Sequence, residues 1–266
     1  MLSVEDKRNV TYENKRIQSY LYRNEGPGMG YFSEITPNIF VSNVEHSLDV
    51  TTLKNYNITK IINLSGVKKS DKVKFNYKKK KIDEWTIVVG DSDSDPIDEF
   101  FYKSYTYIIN NIQKNRKILI HGQDGISRPI AIVAYYLLRR FYVINYKNMD
   151  INEELMSHKH YYLIDIIKFI KMARACANPN SGFVYKLVLA ELELKKEFEP
   201  KIIHFIQEED RLERLKNKED KKEEETVESE SENSIEDNSD LFSEQSDKED
   251  FGFTDSDESV GLYTEN

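Results

Sequence analysis

The residues best placed to do chemistry lie in one run, His121-Gly122-Gln123-Asp124-Gly125-Ile126-Ser127-Arg128. Ile118, Leu119 and Ile120 before it read as a short buried strand. Pro129 to Leu138 after it reads as an apolar helix with proline at a tolerated first-turn position. A strand, a loop with two glycines and a helix N-terminus bring several backbone N–H groups to one spot, where the helix dipole favours an anion. Arg128 closes the loop and can add a rigid bidentate fork to a phosphate. The run predicts a phosphate cradle.

It also resembles the signature loop of the cysteine-dependent dual-specificity protein phosphatases, His-Cys-x-x-Gly-x-x-Arg-Ser/Thr. His121, Gly125 and Arg128 match, and Ser127 is a common residue before the arginine. Gly122 stands where the nucleophilic cysteine belongs, and Pro129 where the Ser/Thr belongs. In the resembled enzymes the thiolate attacks phosphorus and the neighbouring hydroxyl supports it and its later release. Gly122 and Pro129 lack both groups, so the resemblance implies an inactive member, a pseudophosphatase. It is similar to the phosphoserine/threonine/tyrosine-interacting type, which also carries Gly for Cys. The implied phosphate-binding set is Gly122, Gln123, Asp124, Gly125, Ile126, Ser127 and Arg128, with His121 holding the loop from beneath.

The family's general acid is an aspartate about thirty residues before the cysteine, and Asp91 fits that spacing best. Two other readings of Asp91, Asp93 and Asp95 stand beside it. They cap the following helix or lie in solvent, or they bind calcium, although the glycine and closing glutamate of an EF-hand are missing at their offsets. Cys176, the single cysteine, has no signature loop around it and reads as a small apolar filler. Five histidines without a partner at ligand spacing predict no metal, and no cofactor is expected.

The elements that must position the loop follow in order. Residues 1–30 read as a polar arm with one helical turn at most. Ile35 to Val41 reads as a turn into a strand, His46 to Tyr56 as a short helix, and Lys60 to Ser65 as a buried strand. Between Lys68 and Lys81 there are eight lysines. Lys78 to Lys81 reads as a solvated strand edge, with a docking patch for acidic partners or a nuclear localisation signal as alternatives. Trp85 to Val89 makes another strand. Pro96 opens a helix to about Lys114, with Ile97, Phe101, Tyr105, Ile108 and Ile112 at helical spacing.

After the cradle's helix, Arg139 to Asp150 reads as a connection and Met149 to Met156 as a short helix. Tyr162 to Ala175 reads as an amphipathic helix with Ile166, Phe169, Ile170 and Ala173 on one face. Arg174 to Phe183 resembles the family's closing Arg…Pro-Asn-x-Gly-Phe turn, and Phe183 to Lys195 forms the last helix. The expected fold is α/β: a dual-specificity-phosphatase-like domain over 31–198 with a central mixed sheet flanked by helices. A charged helical extension over 199–225 and a disordered acidic tail over 226–266 follow it.

Charge is unevenly spread. The chain carries −9 overall, yet from Gln207 onward there are 23 acidic and 7 basic residues, against 24 acidic and 31 basic before it. One cysteine rules out an internal disulfide and fits a reducing compartment. No apolar run reaches about 18 residues, so no membrane span is expected. The N-terminus lacks an apolar signal core. These features predict a cytoplasmic protein, with a nuclear location as alternative, and neither membrane nor nucleic acid as partner. The expected partner is a protein carrying phosphotyrosine or phosphothreonine, bound without hydrolysis. The alternatives are an interaction scaffold with an empty cradle, and residual phosphatase activity by water attack assisted by Asp91 or Asp124. RNA 5′-triphosphatases share the same signature loop.

Overall fold

The computed structural model describes residues 2–26, 32–67, 69–148, 161–198, 208 and 211–216. Residues 1–206 form one compact unit and 207–266 another. In the second unit, 211–216 of the expected charged extension is helical, and the expected acidic tail over 226–266 lies outside the described residues, as does the short helix expected over 149–156.

Five strands build the sheet: β1 (Ser33–Thr36), β2 (Ile39–Ser42), β3 (Ile58–Asn63), β4 (Asp83–Thr86) and β5 (Lys117–His121). Their order is β1-β2-β5-β3-β4. The β1–β2 hairpin is antiparallel, and the β2–β5, β5–β3 and β3–β4 pairs are parallel, which makes the sheet mixed. Because side chains alternate along a strand, Ile118 and Ile120 of β5 join one core cluster and Leu119 the other. Ile39 and Val41 against Phe40, and Ile62 against Ile61, divide the same way. Both faces are therefore covered, as parallel sheets require.

The small face packs on α3 (Val50–Asn55) and α4 (Asp71–Lys79), through Leu53 and Tyr77. The large face carries α1 (Val4–Arg23), α5 (Phe101–Ile112), α6 (Arg128–Asn148), α7 (Leu163–Ala173) and a last helix, α8, over 181–198. Among the described residues, no helix is long and apolar enough to cross a membrane.

Several expectations need correction. The N-terminal arm is a 20-residue helix with a capping box at Ser3 and Asp6 and with Val10, Ile17 and Leu21 buried. Its charged exposed face masks those three apolar positions in the sequence. The expected helix over 46–56 is two, α2 (Val44–Leu48) and α3, broken at extended Asp49, whose carboxylate caps α3. Lys78 and Lys79 end α4 rather than edging a strand, and cations there suit the negative end of the helix dipole.

Arg139 to Asn148 continues α6 instead of forming a connection. Arg139 lies over the rings of Tyr102 and Tyr105 and forks onto Glu197, and Phe141 and Tyr142 pack against Tyr162. In α7 the buried face is Leu163, Ile164, Ile167 and Ile170, while Phe169 is exposed.

Candidate functional site

The loop leaves the C-terminal end of β5 and enters α6 at Arg128. Its carbonyls are drawn away from its centre by donors from Val44, Arg174 and Asn178 and from α6. Val44 N–H donates to the Gln123 carbonyl at 3.1 Å, and Arg174 Nε to Gly125 at 2.9 Å. Arg174 Nη2 reaches the Asp124 carbonyl at 3.5 Å, Asn178 N–H donates to Ile126 at 2.9 Å, and Ala131 N–H to Ser127 at 3.0 Å. In a trans peptide the N–H points opposite to the C=O, so five carbonyls turned outward turn the following N–H groups inward. Among the described residues, the N–H groups of Gln123 through Arg128 donate to no protein acceptor. Unspent donors at a helix N-terminus form an anion-binding nest.

Two residues fix this shape. Gly125 has φ +71, and a Cβ there would lie 2.4 Å from the Ser42 carbonyl oxygen and 2.6 Å from Arg174 Nη2. Only glycine fits. Arg174, 2% exposed, crosses beneath the loop and also donates to Ser33 Oγ and the Val41 carbonyl, so one guanidinium ties the loop to β1 and β2. The sequence shows Arg174 only as a marker of the closing turn. An arginine set among small apolar residues (Met172-Ala173-Arg174-Ala175-Cys176-Ala177) was the available signal that it is buried. Cys176 is buried as well.

Gly122 lies at the base of the nest. A Cβ on it would meet Pro129 Cδ and Cγ at 3.1 Å and the Gly125 nitrogen at 3.7 Å. The proline ring thus fills the space beside the position where a side chain would begin. The two departures from the signature are one packing unit. His121 is fully buried, with Nδ1 3.3 Å from the Gly122 carbonyl and Nε2 without a hydrogen-bond partner among the described residues. Burial, aided by the charge of Lys69, pushes its pKa down to about 4, so the imidazole is neutral.

Two of the Arg128 donors are engaged. Nε donates to Asp91 Oδ2 at 3.0 Å and Nη1 to the Val89 carbonyl at 3.2 Å. Ser127 Oγ donates to the other Asp91 oxygen at 2.5 Å, and Asn180 Nδ2 to the same oxygen at 3.2 Å. The structure therefore brings Asp91, Ser127 and Arg128 together, with Asn180, which the sequence marks only as a helix start, as a fourth member. Gln123 and Asp124 are exposed at the mouth. Asp93 is held by Ser181 Oγ and Gly182 N–H, which lowers its pKa, and Asp95 by Ser92. The three carboxylates thus face three different partners, and among the described residues no group of three or more His, Cys, Asp or Glu could hold a metal.

A mixed five-stranded sheet that delivers an anion-binding loop to a helix N-terminus defines a phosphatase-type scaffold. The model for "Dual specificity phosphatase, catalytic domain" matches residues 39–153, and over that stretch the chain is similar to the dual-specificity phosphatase family. It is 28% identical over 159 residues to "Putative tyrosine phosphatase 123R" of Invertebrate iridescent virus 6, a match over 60% of this chain and 91% of that protein. It is 27% identical over 157 residues to "Serine/threonine/tyrosine-interacting protein B" of Xenopus laevis, over 58% of this chain and 61% of that protein. The crystal structure of OH1 from the Orf virus superposes with a TM-score of 0.52 at 15% identity, over 70% of this chain and 98% of OH1, and shares the fold.

Proposed function

We propose that this protein is a pseudophosphatase: a binding module that takes a phosphotyrosine or phosphothreonine side chain of a partner protein into the 122–128 loop and holds it without hydrolysis. The observation that carries this reading is the pairing of an intact nest with a missing nucleophile. The inward N–H groups, the left-handed Gly125 and the Arg174 brace survive, while Gly122 offers no attacking atom and the Pro129 ring packs beside it. Loss of a thiolate also removes a like charge from the anion's position, a repulsion of about 4 kcal/mol at ~4 Å and an effective dielectric of 20, before screening. The similarity to serine/threonine/tyrosine-interacting proteins agrees with this reading. The proposed setting is cytoplasmic or nuclear, where phosphorylated partners reside.

Arg128 favours a second reading. With its Nε on Asp91, the cradle is closed by the protein's own carboxylate, as in a scaffold that binds partners elsewhere. Titration with matched phosphotyrosine, phosphothreonine and unmodified peptides separates the two. The module should bind only phosphorylated peptide, and Arg128→Ala should weaken that binding about tenfold or more, since a charge-assisted hydrogen bond contributes about 1.5–3 kcal/mol. Equal binding of modified and unmodified peptide would select the scaffold. Phosphate release from an aryl phosphate by the purified chain, lost in Asp91→Asn, would restore the enzyme reading.

A further inference from the structure

The Asp91 contacts go further than a general-acid position requires. Asp91 gives one carboxylate oxygen to Arg128 Nε and the other to Ser127 Oγ and Asn180 Nδ2, and its carbonyl accepts from Asn180 Nδ2 as well, at 3.2 Å. The Asn180 N–H in turn donates to Ser127 Oγ at 3.2 Å. Two residues on, Asp93 bonds Ser181 Oγ at 2.6 Å and Gly182 N–H at 3.2 Å at the start of α8. The approach is so close that a Cβ on Gly182 would lie 1.9 Å from the Asp93 carbonyl oxygen. The 91–95 segment is thus a strap fastened at two points, one on the cradle's arginine and one on α8.

A phosphate dianion and a carboxylate compete for the same guanidinium hydrogens. The bidentate grip on an oxyanion through the Nε edge of arginine needs the Nε–H that Asp91 now holds. The Asp91 and Arg128 side chains are 35% and 11% exposed, so their pairing is only partly screened by water. We propose that Asp91 is the cradle's resident counter-anion, a built-in competitor that keeps the site closed until a phosphorylated partner displaces it and the strap with it. This rests on the phosphoresidue reading above and adds its regulation: affinity is set by how firmly Asp91 holds Arg128. The mutation that disables an acid catalyst in an active relative should here improve binding.

The test uses the full chain with phenyl phosphate as probe, binding read by calorimetry and the Arg128 Nε–H followed by nitrogen-edited NMR. In the parent chain that proton should exchange slowly, and in Asp91→Ala and Asp91→Asn faster. Phenyl phosphate should bind Asp91→Ala about fivefold more tightly, the size of a partly exposed ion pair, with Asp91→Asn between the two. In the parent, saturation should raise backbone hydrogen exchange over 91–95 as the strap leaves. Equal affinity for all three chains, or unchanged exchange over 91–95 on saturation, would overturn the gate and leave the phosphoresidue reading standing. Failure of all three to bind, with the Arg128 proton released in the variants, would remove both. If Asp91→Ala does not fold, the parent's exchange change and the Asp91→Asn affinity still decide.

Discussion

At Gly122, the decisive property is what a side chain would strike. The nearest atoms belong to Pro129, so the missing thiol and the missing hydroxyl cannot be restored independently. Gly122→Cys alone must push the proline ring by a few tenths of an ångström. It should therefore cost stability, about 1–3 kcal/mol as overpacking does, and leave the thiol poorly placed. Adding Pro129→Ser opens the space and supplies a hydroxyl. The double variant should recover stability and show faster thiol alkylation than the single one, because the nest's N–H groups depress a thiol pKa there. A burst or slow turnover of aryl phosphate should appear only in the double variant. A single variant as stable and as reactive as the double would show that the ring does not constrain position 122.

Gly125 makes a sharper case at the same scale. With φ +71 and a carbonyl 2.4 Å from any Cβ, Gly125→Ala carries both the left-handed penalty and a clash with backbone. Denaturant unfolding should show a loss of about 2 kcal/mol or more, with phosphate binding lost alongside.

Among the elements, β5 and α7 each depend on a buried titratable group. Glu191 of α8 is fully buried and accepts from Tyr162 N–H at 2.6 Å, Leu163 N–H at 3.1 Å and Tyr142 Oη at 3.2 Å, so it caps the start of α7. Burial outweighs these donors and the charge of Lys195 and pushes its pKa up to about 7. A raised carboxyl pKa gives stability that is present below about 4.5 and lost as pH rises to about 7. His121, depressed to about 4, works in the opposite sense, and its contribution is lost as pH falls from about 6.5 to 4. Between about pH 4.5 and 6.5 the two slopes cancel, and the parent's unfolding free energy should be nearly flat. In Glu191→Gln the histidine term stands alone, and stability should fall by about 1.4 kcal/mol for each pH unit of acidification in that window. Urea titrations at four pH values check this, and a parent and variant with parallel profiles would contradict it.

For the whole molecule, α1 belongs to the body rather than to an arm. Val10, Ile17 and Leu21 are buried, Arg16 donates to the Tyr161 carbonyl, and Lys196 of α8 pairs with Asp6. Burying three such side chains contributes about 1.5–3 kcal/mol each, a large share of a domain stability of about 5–15 kcal/mol. Removal of residues 1–23 should therefore lower the unfolding temperature sharply or give insoluble protein. A truncated chain with unchanged melting would contradict the packing.

The sequence alone determined what depends on short spans. Strand, loop and helix at 118–138 follow from a buried apolar run, two glycines and a proline suited to a first turn, and a glycine where the resembled signature has cysteine, Gly122, is visible by inspection. Consecutive apolar residues such as Ile61/Ile62 and Leu119/Ile120 mark strands covered on both faces, whereas the mixed order of the sheet was implied by the family resemblance. Other features only the tertiary structure decided. The helical length of α1 and α6 depends on partners far along the chain: Tyr161 and α8 for one, Tyr102, Tyr162 and Glu197 for the other. The cradle's state was equally hidden. Asp91 and Arg128 are 37 residues apart, and Arg174 meets Gly125 across 49. Whether an arginine waits for a phosphate or already holds a carboxylate depends on distances that residue types and spacing do not contain, because a guanidinium binds whichever anion the fold brings to it first.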